Sequence, residues 1–417
     1  MSDVPSEPSA WTTLSVTLGI QALVSMAALT LSVLAPLIAP PLGRAASTLA
    51  GLFAALVFLG AMASSLAAGA LVARVGAIRA SQLGLGLCAA GLACATLPWL
   101  PAMVGGALLI GLGYGPITPA SSHLLIRTTP AHRLSLMFSI KQTGVPAGGL
   151  MAGALAPGLA LLAGWQAAVL AVALACVLVA ALAQPLRAAF DGDRDPRARL
   201  RAAHLLRPVR LVLSQGILKR LALCSFLFAI AQVSLTAFLV IHLHEGLGVD
   251  LVAAGLLLSI AQGAGVVGRI AWGWVADAGL GPRRTLTLLA ALMAASALAT
   301  AALPAGAPVA ATVAVLLAFG ASAVGWNGVY LAEVARRAPA GLAGVATGGV
   351  LVFNFFGNAT GPLLFGAVAS LAVARKKSTL DLHPALAPVL PATADQRGLG
   401  TKGLRRQPDD RILGGRP

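Results

Sequence analysis

Charge is scarce in this sequence, and negative charge scarcer than positive. Charged residues are 10% of the 417-residue chain, with 13 Asp and Glu against 29 Lys and Arg. Soluble domains carry about 25% charged residues, so this composition cannot clothe a soluble fold with a solvated surface. Cysteine is also sparse. Cys88, Cys94, Cys176 and Cys224 all fall inside apolar runs without CxxC spacing, which reads as small packing residues rather than metal ligands. The sequence has no GxxxxGK[ST] loop, no HExxH helix and no evident Ser/His/Asp constellation. ATP-driven work and intramembrane proteolysis therefore lack their machinery. We expect no enzymatic activity, no metal and no cofactor.

What the chain has in abundance is apolar sequence: 58% hydrophobic residues and a mean hydropathy of +0.89. Apolar runs of about 20 residues recur along it, the length that crosses a bilayer as a helix. The runs lack the two-residue alternation of a membrane barrel, which leaves an all-α bundle. Eleven spans are expected, at about 12–38, 48–73, 80–99, 102–125, 134–158, 164–185, 221–243, 251–276, 285–304, 309–333 and 342–372. The net charge of +16 could suit a nucleic acid, but its distribution argues against that partner. Arg74/Arg79, Arg127/Arg133, Arg187 to Arg220, Arg283/Arg284 and Arg336/Arg337 fall in alternate loops, and the opposite loops hold almost nothing basic except Arg44. By the positive-inside rule the basic loops and the N-terminus are cytoplasmic. "MSDVPSEPSA" carries no basic n-region, so the first run is expected to be a retained helix rather than a cleaved signal.

The divisions follow. Residues 1–185 are expected to form a six-helix bundle, 186–220 a basic cytoplasmic linker, 221–372 a second helix bundle, and 373–417 an atypical polar, disordered tail in place of a twelfth span. The linker is expected to be cytoplasmic, with a short amphipathic helix on the membrane surface. The tail is basic and rich in Arg, Pro and Gly, although topology assigns it to the outer face. A twelfth helix replaced through a shifted reading frame would explain that conflict.

An internal repeat joins the two bundles. After the second span comes "GALVARVGAIRA", with Gly69, Arg74, Gly76 and Arg79; after the eighth comes "GWVADAGLGPRR", with Gly273, Asp277, Gly281, Arg283 and Arg284. "TGVPAGG" in the fifth span matches "ATGPLLFG" in the eleventh. Parallel six-helix repeats are a transporter architecture. On these motifs, over about residues 12–372, the chain resembles the major facilitator superfamily. "SIKQTGVPAGG", "GVVGRIAWGWVAD" and "GWNGVYLAEVARR" resemble, within it, the cyanate/nitroimidazole permease-like bacterial group. The resemblance implies a multi-pass protein of the bacterial inner membrane, acting as a monomer by alternating access. It also implies a cytoplasmic latch in which the first hairpin departs from the family, with Ala73 at the aspartate position. That leaves the latch to Asp277 and its partners. The other hairpin residues above, with Gly144 and Pro146, are expected to serve turns, packing and bending.

Two ionisable residues lie well inside spans, Lys141 in the fifth and Arg269 in the eighth. Such residues are costly in a bilayer and are functional candidates for that reason. Both sit about 12 Å from the basic end at 1.5 Å per residue, and the resemblance places those two helices face to face. No acid accompanies them. Two buried cations without a carboxylate need a neutralising anion, so the expected substrate is a small organic anion held by Lys141 and Arg269. Gln142 and Asn358 occupy matching places in the repeat, with Asn354 one turn before Asn358. Tyr114, Gln232 and Asn327 lie on spans that line the superfamily's cavity, and Gln262 shares the eighth span with Arg269. Proton coupling would have to use the substrate's own proton, Lys141 or a histidine. Alternatives remain: efflux of neutral or multidrug-type solutes, or a truncated protein that does not transport.

Overall fold

The computed structural model describes residues 9–130, 134–197, 206–339 and 342–382. Among them no strand occurs, and eleven helices are long and apolar enough to cross a membrane. We label these spans α1 (Ala10–Val33), α2 (Ala46–Val75), α3 (Ala77–Ala95), α4 (Leu100–Thr128), α5 (Ile140–Ala163), α6 (Trp165–Phe190), α7 (Gly216–Gly246), α8 (Leu251–Leu280), α9 (Pro282–Ala301), α10 (Val309–Val334) and α11 (Val345–Phe365).

The first span ends earlier than the sequence suggests. Its helix stops at Val33, and the expected stretch to residue 38 is a separate short turn, Ala35–Ile38. Pro36 explains the break, because it supplies no amide hydrogen for the Ser32 carbonyl one turn earlier. At the other end, the helix containing α11 runs from Ala343 to Leu382, into the segment read as a polar tail. "ARKKSTLDL" has no glycine or proline to stop it. The rest of that tail, from 383 onward, lies outside the described residues, as does any twelfth span. The chain divides into a unit ending at Ala369 and a second beginning at Ser370, which is helical to Leu382.

Within the first unit, small residues set the helix spacing. In a bilayer there is little hydrophobic drive between helices, so close packing carries their association. On α8, Gly265 lies against Val324 and Gly268 against the backbone of Ala321, both on α10. Gly153 on α5 and Gly255 on α8 face each other so closely that a Cβ on either would collide with the other's carbonyl oxygen. This contact joins the first six spans to the rest. Gly51 of α2 adds another, against the Pro362 carbonyl of α11 and the Phe238 ring of α7. All three glycines lie toward the end opposite the basic loops.

Overpacking a close helix contact costs about 1–3 kcal/mol. Gly255→Val is therefore expected to lower the thermal unfolding midpoint in detergent. Gly263→Ala, whose new methyl would meet only Leu150 Cδ1 at 3.6 Å, should leave it unchanged. Equal midpoints for both variants would show that the α5–α8 backbone approach is not required.

Candidate functional site

Three spans are interrupted at one depth. The α4 helix breaks between Tyr114 and Ile117, α5 at Thr143, and α10 between Ala323 and Asn327. The break in α5 has a plain cause. Gln142's carbonyl would accept from the amide of residue 146, but Pro146 has no amide hydrogen. Arg269 of α8 fills the gap, its Nη1 donating to the Gln142 carbonyl. Its Nε donates to the Val324 carbonyl at 3.1 Å, in the break of α10. One guanidinium thus binds the loosened backbone of two helices, and Nη2 makes no hydrogen bond among the described residues.

The breaks border a cavity of ≈ 230 Å³. Its wall includes Tyr114, Gln142, Gln232, Arg269, Asn327 and Asn358, six of the seven residues expected to meet substrate, together with Asn354, Gln262 and Thr118. The rest is largely apolar, with Phe58, Val145, Pro146, Leu351 and Phe355 among it. Gln232 Oε1 accepts from Trp326 Nε1 at 3.0 Å and from Asn327 Nδ2 at 3.4 Å. Asn358 Nδ2 donates to Asn354 Oδ1 at 3.0 Å, and Asn354 Nδ2 to Ser225 Oγ at 3.2 Å.

Lys141 is the exception. It is 1% exposed and absent from the cavity wall. Its Nζ donates to Gln21 Oε1 at 3.0 Å and to Thr118 Oγ1 at 3.4 Å. Successive helical residues point about 100° apart. With Gln142 turned to the cavity, Lys141 is turned toward α1 and α4. The two cations therefore do not form a facing pair: Arg269, 5% exposed, borders the space, and Lys141 stands one layer behind Thr118.

The two basic hairpins are built alike and capped differently. Gly76 and Gly281 take φ of 93° and 75°, a region that glycine enters without strain. Each is the N-cap of the next helix and so brings no capping side chain. At the first hairpin Asp191, beyond α6, supplies one. Its carboxylate accepts from the amides of Ile78 at 2.8 Å and Arg79 at 3.0 Å. Asp193 pairs with His123 at 2.6 Å and Arg127 at 2.8 Å, and the Asp195 amide donates to the Ala73 carbonyl at 2.7 Å. The linker's "DGDRD" thus fastens the hairpin whose own aspartate is missing. The sequence reading of a basic cytoplasmic linker with a short amphipathic helix does not single out these aspartates. The glycine cap is no signal for them, because Gly281 is capped by no carboxylate among the described residues. At the second hairpin Asp277, Arg283 and Arg284 are exposed, and Asp277 makes no hydrogen bond or ion pair among the described residues. Gly69 and Gly273 meet nothing that a Cβ would touch, and Arg74 is exposed. Gly144 packs on Leu18 and Gln21 of α1, while Pro146 borders the cavity.

Residues 17–362 match the family model described as Major Facilitator Superfamily. An uncharacterized MFS-type transporter of Mycobacterium tuberculosis (strain CDC 1551 / Oshkosh) is 28% identical over 364 residues, covering 86% of this chain and 79% of the relative. Among solved structures, a bacterial homolog to the human lysosomal transporter Spinster, inward-facing and unoccupied, has a TM-score of 0.70 at 16% identity, covering 92% of this chain and 87% of that one. A POT family transporter in complex with 5-aminolevulinic acid has a TM-score of 0.68 at 15% identity, covering 86% and 91%. At such identities the likeness is one of fold.

The linker contacts are open to test. Partial burial alone would raise Asp193's pKa. The His123 hydrogen bond and the Arg127 charge outweigh that and hold it below the ordinary carboxylate value. Its contribution is therefore present above about pH 4 and lost as pH falls through the lowered folded value. Hydrogen exchange in 187–197, corrected for intrinsic rates, should accelerate in that acid range, and Asp193→Asn should remove the pH-dependent step. Asp191→Ala should cost about 1–2 kcal/mol through the lost cap. An unchanged thermal midpoint would refute its capping role.

Proposed function

The chain belongs to the Major Facilitator Superfamily, and from that premise we propose that it is a secondary transporter of a small organic anion, with Arg269 meeting the negative charge. The observation that carries this reading is the cavity wall. Among the described residues Arg269 is its one charged residue, and no described Asp or Glu borders it. A cationic substrate would face an arginine with no compensating acid, and a neutral one would leave that charge unused. An anion completes the guanidinium through a charge-assisted hydrogen bond, the stronger kind. Lys141, one layer back, adds positive potential without touching the substrate.

The remaining assignments are part of the same proposal. In this reading, which the basic loops support, the N-terminus and the linker are cytoplasmic and the chain acts as a monomer in a bacterial inner membrane. The narrower resemblance to cyanate/nitroimidazole permease-like proteins belongs to the same proposal and leaves the substrate class to the cavity. No described carboxylate lies at the depth of the helix breaks. A coupled proton would therefore travel on the substrate, through Lys141 or through a histidine. A pH jump that drives accumulation in proteoliposomes would support coupling, and one that drives none would favour a uniporter or exchanger.

Losing a hydrogen bond to a charged group costs about 1.5–3 kcal/mol. Arg269→Gln should therefore lower labelled monocarboxylate uptake into proteoliposomes by tenfold or more, roughly. Lys141→Met should reduce it less. Saturable uptake of neutral analogues that survives both substitutions together would overturn the anion reading in favour of neutral-solute transport.

A further inference from the structure

Gln262 lies two helical turns from Arg269 on α8, and both border the cavity. Its side chain occupies the space that a Cβ on Gly149 of α5 would fill. It is 2% exposed, and its Oε1 has no hydrogen-bond partner. Its Nε2 also makes no hydrogen bond among the described residues. Nearby hydroxyls do not complete it. Ser259 Oγ, one turn earlier, donates to Leu150 O at 2.9 Å and Gly255 O at 3.0 Å. Thr236 Oγ1 donates to Val233 O at 3.2 Å.

Buried amides are ordinarily hydrogen-bonded, and an orphan calls for a specific explanation. Glycine at 149 is what leaves room for this amide, since any larger residue there would displace it. The local packing thus accommodates a polar group that it does not satisfy. Gln232, Asn327, Asn354 and Asn358 are joined to one another or to neighbouring side chains. The Gln142 side chain also makes no hydrogen bond among the described residues, but it is only half-buried, whereas Gln262 is 2% exposed.

We propose that Gln262 is a second recognition point and that the substrate is a small carboxylate bearing an uncharged hydrogen-bonding group, a hydroxyl or carboxamide, at its far end. This rests on the anion reading of the same cavity. Seven residues of helix separate the two points by about 10 Å along the axis, so the two polar ends are linked by a chain of several carbons. The apolar wall between them, Val145, Pro146 and Val324, suits that chain. A far-end ammonium is disfavoured because no described acid borders the cavity.

The test compares uptake of labelled ω-hydroxyhexanoate and hexanoate into proteoliposomes. The unsubstituted protein should prefer the hydroxy acid by about tenfold in kcat/KM, the worth of a hydrogen bond at the upper end of its range. Gln262→Leu should erase the preference, read as the ratio of the two acids' kcat/KM values whatever the overall rate. Gln262→Glu, nearly isosteric, should shift the preference toward ω-aminohexanoate, an outcome that a merely structural glutamine would not produce. Equal transport of the hydroxy acid and hexanoate by the unsubstituted protein would overturn this inference and leave the anion reading intact. So would a preference that survives Gln262→Leu. Transport of neither acid would overturn both.

Discussion

Hydrocarbon offers no hydrogen bonds, so each helix in this bundle must satisfy its own backbone, and every interruption needs a replacement partner. Arg269 is that partner for two interruptions at once. Pro146 deprives the Gln142 carbonyl of its helical donor, and the break in α10 loosens Val324. A single guanidinium from α8 reaches both. The cavity lies where these helices part, and its charge is the same group that makes the parting tolerable. Structural and functional readings of Arg269 are therefore not rivals. Nε and Nη1 hold backbone, and Nη2 makes no hydrogen bond among the described residues.

That arrangement also bears on alternating access. Arg269 stands in the second group of spans and Gln142 in the first, so their bond crosses the boundary that transport requires to open and close. The Gly153–Gly255 approach crosses the same boundary toward the opposite end. One contact is a side chain on a carbonyl. The other is backbone against backbone, with little slack. Both would have to yield for the far end to open.

The two hairpins show how a motif can survive the loss of one member. Ala73 stands where a family aspartate is expected, but "DGDRD" beyond α6 brings Asp191 and Asp193 to the same end of the bundle. Gly76 cannot cap its own helix, so the carboxylate arrives from residues more than a hundred positions away. Asp277, to which the family resemblance left the latch, stands unpaired among the described residues. The spans themselves were legible because each needs only a local run of apolar residues. So was the shortlist of polar residues, because polarity inside such a run is conspicuous. Asp191 was not, because its partner is set by chain folding rather than by spacing. Gln262 was visible as a polar residue, but its lack of a partner is a property of the packed neighbourhood.

Composition, apolar runs and repeated motifs alone pointed to the eleven helices long and apolar enough to cross a membrane among the described residues, the duplicated hairpins and the two cations within spans. These are statements about one segment at a time, and the bilayer's demand for length and apolarity makes them readable. Which way each cation points was decided by tertiary structure. The interruption at Thr143 and the 100° turn per residue send Lys141 toward Gln21 and Thr118, while the orphaned carbonyls draw Arg269 to the cavity. No local pattern encodes that difference, because it depends on which other helix has lost a donor and which side chain stands near enough to replace it.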